Sequence, residues 1–216
     1  MADFSRIVPS IIEKGIDKVD LSMFDTQTRS DLLNAVGDEY LKKGRLIEAI
    51  RTFTLTGNKG KLVNIGEEFI ALSNFSSAAD AYILSDNVER IRNLGDRMLR
   101  EGNLSVAVKC FKALGDVQRL MLVGEECLKK DKLDTSIEVF SILGNRQKLT
   151  EIGVMSLKDN KLAYAAEAFK LADDKENLSK LGDYCLKENL ISSALSAYQL
   201  AGNIIMVDFI KQNFQR

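Results

Sequence analysis

Histidine is absent from the 216 residues. Without it no Ser-His or Cys-His nucleophile can be assembled, and no imidazole can ligate a metal. Proline occurs once, as Pro9, and cysteine three times. With no imidazole to activate them, the thiols read as small core residues held reduced, which points to a cytoplasmic location. No apolar run approaches the ~18 residues of a membrane span. The opening MADFSRIVPSIIEKG lacks a basic segment followed by a continuous apolar stretch, so a secretory signal is not expected. A formal charge of −1 gives no overall basic field for nucleic acid or an anionic membrane. No G-x-x-x-x-G-K-[ST] phosphate loop occurs, and Gly57 and Gly60 resemble one only superficially. These gaps leave no expected cofactor or metal and no enzyme activity.

What is present is a period. Gly37, Gly66, Gly95, Gly124, Gly153 and Gly182 stand 29 residues apart. At this glycine content, that coincidence has a chance of roughly one in a million, and a fixed period of such length is the signature of a repeat architecture. An aromatic keeps the same interval through Phe53, Tyr82, Phe111, Phe140, Phe169 and Tyr198. An apolar residue keeps it through Leu62, Ile91, Leu120, Leu149, Leu178 and Val207. Cys127 and Cys185 fall at the phase of Tyr40, Phe69 and Met98; Cys110 falls at that of Ala81, Val139 and Ala168.

Each unit reads as two helices. In residues 117–145, Leu120, Val123, Cys127 and Leu128 follow helical spacing, and Lys130-Asp131-Lys132 breaks it. Leu133, Ile137, Phe140 and Ile142 then define a second helix. Gly144 follows as a residue able to take positive φ, and Asn145 as an N-cap for the next helix. The pair recurs as Gly57-Asn58, Asp86-Asn87, Gly115-Asp116, Asp173-Asp174 and Gly202-Asn203. The phased glycine lies inside the first helix, where it costs about 1 kcal/mol against alanine. Close approach of the two helices in a hairpin is the expected return. Where residues 204–216 offer a first helix alone, the glycine phase holds Lys211. Asp38/Lys42, Asp96/Arg100, Glu125/Lys129 and Asp183/Lys187 have the spacing of i,i+4 ion pairs, read either as helix stabilisation or as a charged ladder along a groove.

The pattern Val36-Gly37-x-x-Tyr40, then Ala49, then Phe53 resembles the tetratricopeptide repeat. There a Leu-Gly-x-x-Tyr in the first helix precedes a spaced Ala and Phe in the second. Ala78/Tyr82, Ala107/Phe111, Ala165/Phe169 and Ala194/Tyr198 repeat the interval, with Ser136 in place of Ala once. The resemblance covers about residues 30–210. It departs from the family in its period of 29 rather than about 34, and in lacking the proline that closes the second helix. The short period and the Gly-Asn/Asp linker are also similar to the α-solenoid segments of vesicle-coat and intraflagellar-transport proteins.

The expected fold is all-α: a right-handed α-solenoid of six 29-residue helix-turn-helix repeats plus a terminal helix. Residues 1–29 form a helical cap carrying Phe4, Ile7, Ile11 and Ile12; residues 30–203 hold the hairpins; residues 204–216 form the single last helix. The resemblance implies a non-catalytic scaffold or adaptor that binds a peptide segment or domain on the concave face lined by first helices. Carried over by position, that face holds Asn34, Val63, Arg92, Met121, Thr150 and Ser179. A second row holds Asp38, Glu67, Asp96, Glu125, Val154 and Asp183, and a third holds Lys42, Ala71, Arg100, Lys129, Lys158 and Lys187. Lys61, Arg90, Arg119 and Lys148 start first helices, but no aromatics interleave with them and the acidic row repels phosphate, so nucleic acid is not expected.

The other reading is a structural subunit that assembles with itself or within a coat-like complex. Its motive is the C-terminal segment. Ile205, Met206 and Phe209 occupy phases that are polar almost throughout, with Leu122 the apolar match to Phe209. Such a patch suits a homodimer contact.

Overall fold

The computed structural model describes residue 4 and residues 6–214. Residues 1–3, 5, 215 and 216, which fall in the expected N-terminal cap and last helix, lie outside it. The described residues are helical, with no strand among them. The chain divides into two compact units, Met1–Gly115 and Asp116–Arg216.

In the first unit, α1 (Ile7–Lys14) and a 3-10 turn (Ile16–Lys18) precede α2 (Thr26–Lys42), α3 (Leu46–Thr56), α4 (Lys59–Ala71), α5 (Phe75–Leu84), α6 (Val88–Glu101) and α7 (Leu104–Leu114). The pairs α2/α3, α4/α5 and α6/α7 pack as hairpins, and each hairpin packs on the next through α3/α4 and α5/α6. The second unit repeats the scheme with α8 (Val117–Lys129), α9 (Leu133–Ile142), α10 (Arg146–Lys158), α11 (Leu162–Ala172), α12 (Lys175–Lys187), α13 (Ile191–Ala201) and α14 (Ile204–Phe214). Its hairpins are α8/α9, α10/α11 and α12/α13, and α14 packs on α13.

The helices stop and start by the same local chemistry. Each second helix ends at a residue of left-handed backbone: Gly57, Asp86, Gly115, Gly144, Asp173 or Gly202. At Gly57 φ is +67°, which costs glycine nothing because it has no Cβ. The amide of Asn58 then donates back to the Phe53 carbonyl at 2.9 Å. The Asn58 side chain accepts from the Lys61 amide at 3.2 Å, so one residue closes a helix and opens the next. Asn87, Asp116, Asn145, Asp174 and Asn203 cap α6, α8, α10, α12 and α14 in the same way.

α2 begins one turn earlier than the period requires. Position 29 is Arg29 rather than Asn or Asp, and Asp25 caps instead, accepting from the Thr28 amide at 3.0 Å. In α1 the buried side chains are Val8, Ile11 and Ile12, while Ile7 is exposed. Pro9 sits in the first turn of α1, where its missing N–H is not needed.

The phased glycine and the phased aromatic are one contact. A Cβ on Gly37 would lie 2.6 Å from the Phe53 ring. On Gly95 it would lie 2.7 Å from Phe111, on Gly124 2.9 Å from Phe140, and on Gly182 2.7 Å from Tyr198. Gly66 with Tyr82 and Gly153 with Phe169 are closer still. The expected approach of two backbones is thus an approach of backbone to ring. Burying each ring contributes about 2–3 kcal/mol, which outweighs the ~1 kcal/mol that a helical glycine costs.

Candidate functional site

The residues expected to line the concave face divide by what they touch. In the row beginning at Asn34, two polar members tie hairpins together. Asn34 Oδ1 accepts from Asn58 Nδ2 at 2.8 Å, and Thr150 Oγ1 donates to Asp174 Oδ2 at 3.0 Å. Both contacts run from a first helix to the cap of the next, 24 residues on. Val63 and Met121 are half-buried, and Met121 packs on the core around Leu133 and Phe140. Arg92 is exposed.

The acidic row is also engaged. Asp38 meets Lys61 of the following first helix at 2.6 Å, and Glu67 meets Arg90 at 2.8 Å. Asp183 accepts from the Tyr198 hydroxyl at 2.6 Å. Burial, and then the Asp183 carboxylate, push the Tyr198 phenol above its ordinary pKa. Burial and Glu67 do the same to Tyr82. Asp96 and Glu125 are half-buried, and Asp96 is engaged as well. The i,i+4 spacing therefore does not choose the partners. Lys42 pairs with Glu39 at 3.4 Å and Lys129 with Glu126 at 3.7 Å, both three residues back.

Within the first unit α6 is rich in basic side chains. Four arginines lie on it: Arg90, Arg92, Arg97 and Arg100. Arg90 is held by Glu67, while Arg97 pairs with Glu101 at 2.7 Å and stacks 5.0 Å from the Phe75 ring centre. Arg92 and Arg100 are exposed and form no ion pair among the described residues. A depression of about 170 Å³ is lined by Glu67, Ile70, Tyr82, Arg90, Asn93, Leu94 and Arg97, and neither Arg92 nor Arg100 is among its walls. Asn64, Glu68, Asn93 and Arg97 are exposed, and so is the whole third expected row, Lys42, Ala71, Arg100, Lys129, Lys158 and Lys187. For Asn64 and Asn93 the signal was present in the sequence, since their phase is mostly polar.

In the second unit Lys129 and Lys158 are exposed, as are Leu122, Glu151 and Lys180 at the phase of Asn93. On α14 the three expected contact residues separate. Met206 is half-buried against the core around Leu178, Leu181 and Tyr198. Ile205 and Phe209 remain open, 81% and 45% exposed. A further cavity of about 320 Å³ lies between α11 and α13 over Leu181 and Cys185, with Ser192, Ser193 and Ser196 among its walls.

Among the described residues no three His, Cys, Asp or Glu side chains group as metal ligands. No helix among them is long and apolar enough to cross a membrane. No protein-family model matches the chain, and no curated protein matches it.

Proposed function

We propose that this protein is a non-catalytic interaction scaffold of the cytoplasm, whose hairpins stack within each unit as turns of a right-handed α-solenoid. The open face of its first helices binds a protein partner, either a peptide segment or a domain. The observation that carries this reading is α6. Lys61 and Glu67 of neighbouring α4 are engaged in joints between hairpins, whereas Arg92 and Arg100 stand exposed and unpaired. An unpaired guanidinium group offers a planar fork of hydrogen-bond donors and need break no existing ion pair to bind a carboxylate. The resemblance to tetratricopeptide repeats supports the same face. The contact geometry of α6 supports it independently of the family's details.

The test is affinity capture from the native cell, followed by mapping with variants. Arg92→Glu combined with Arg100→Glu is expected to weaken capture of the main partner at least tenfold with an unchanged melt. Lys112→Glu with Lys170→Glu, on second helices, is expected to leave capture intact. Loss of capture with the second-helix pair alone would overturn the assignment of the face.

A further inference from the structure

The apolar patch on α14 is not simply a core left uncovered. Ile205 and Phe209 occupy phases that stay open on first helices lying between neighbours: Asn64, Asn93, Leu122, Glu151 and Lys180 are exposed at the phase of Phe209, and Gly60, Glu89, Gln118, Gln147 and Glu176 at that of Ile205. A helix packed after α14 would leave them open too. α14 also differs at the glycine phase, where Lys211 stands exposed. A lysine there leaves no room for the ring-over-glycine contact that closes the other hairpins.

We propose that α14 is a homodimer contact, pairing antiparallel with α14 of a second copy. A two-fold axis requires a surface complementary to itself, and this helix supplies one. Asp208 lies between Ile204 and Ile205 on the helix face and Lys211 beside Ile204, both exposed and without an ion pair among the described residues. An axis passing between Phe209 and Ile210 sets Asp208 of each copy level with Lys211 of the other. An axis at Asp208 would oppose two carboxylates, and one at Lys211 two ammonium groups, so charge selects the register. In that register the two Phe209 side chains meet near the axis and Ile205 of each copy comes level with Phe214 of the other, so these exposed side chains leave water together. This contact does not depend on the binding face assigned to α6.

Sedimentation equilibrium of the full chain is expected to show a dimer forming over tens of micromolar. Asp208→Lys alone, and Lys211→Asp alone, are each expected to weaken it at least tenfold. An equimolar mixture of the two variants should recover a dimer, because position 208 of each copy then faces the opposite charge at position 211 of the other. Ile205→Glu with Phe209→Glu should give a monomer with an unchanged helical spectrum. A monomeric unmodified chain at hundreds of micromolar would overturn the proposal. So would a dimer that ignores both charge variants, or variants whose mixture does not recover it.

Discussion

At one buried phase of the first helices the two units hold opposite kinds of side chain. Met1–Gly115 places Tyr40, Phe69 and Met98 there, and Asp116–Arg216 places Cys127, Ser156 and Cys185. All six are buried. The ring-over-glycine contact is present in both units, so the hairpin survives either filling. The difference falls on the packing around it. Cys185 borders the cavity of about 320 Å³, and the Ser156 hydroxyl makes no hydrogen bond to a described protein atom. A buried hydroxyl left without a partner costs about 1–3 kcal/mol. Large-to-small changes at core positions cost about 2–5 kcal/mol each. The second unit is therefore expected to be the weaker of the two and to open first.

The largest effect should be common to both units, which would show that the hairpin contact is indifferent to the filling. Gly95→Val in the first unit and Gly124→Val in the second are each expected to cost about 2–4 kcal/mol in urea melts, through ring overlap and lost helix propensity. Lys211→Val should cost almost nothing by comparison. Comparable small losses at all three positions would break the contact argument.

Exchange at the contrasting phase sharpens the comparison directly. Met98→Ser is expected to destabilise by about 3 kcal/mol, and Ser156→Ala to stabilise by about 1 kcal/mol. The thiols give a readout of smaller openings. Burial pushes the Cys110 thiol up to about 12, and raises Cys127 and Cys185 above their ordinary value. All three should resist alkylation in native buffer. In mild denaturant Cys127 and Cys185 are expected to label before Cys110, as mass spectrometry would report. Earlier labelling of Cys110 would reverse the ranking of the units.

The smallest effect concerns pH. Burial pushes the Asp174 carboxyl up, but hydrogen bonds from Asn177 and Thr150 outweigh it and hold the pKa below its ordinary value. A carboxyl depressed in the folded state stabilises above its unfolded pKa, near 4, and loses that contribution as the pH falls through the folded value. Asp174→Ala should cost about 1 kcal/mol at neutral pH. Asp174→Asn keeps the cap, as Asn145 does, and should flatten the acid limb of the melt. An unchanged acid limb would remove Asp174 from the joint.

The period and the helical hairpins were legible because buried apolar phases recur and identify themselves. The contacts were not, because a sequence shows phases and not which phases meet. Glycine and aromatic stand 16 residues apart and looked like two signals, yet Gly37 and Phe53 are one contact. Asp38 was matched with Lys42 by helical spacing, but its partner, Lys61, lies on the next first helix. The left-handed corner inside each hairpin escaped notice because its side chains vary, through Gly44, Ser73, Gly102, Asp131, Asn160 and Asn189. Polarity and smallness at a fixed phase were the available clue. On α14 the sequence grouped Met206 with Ile205 and Phe209, though a turn of about 100° per residue sends it toward the core.

The corners at Gly57-Asn58 and Asp86-Asn87 have the same handedness, the same closing bond and the same cap. They are interchangeable cut points. Excising residues 59–87 joins Asn58 to Val88, so α3 would feed α6 through a corner already proven in the chain. Lys61 and Arg90 occupy the same phase, so the Asp38 carboxylate would inherit a cation rather than lose one. A gene encoding such corners can lengthen or shorten by whole modules while every junction stays sealed. An insertion of one residue would instead turn all later helices by about 100°.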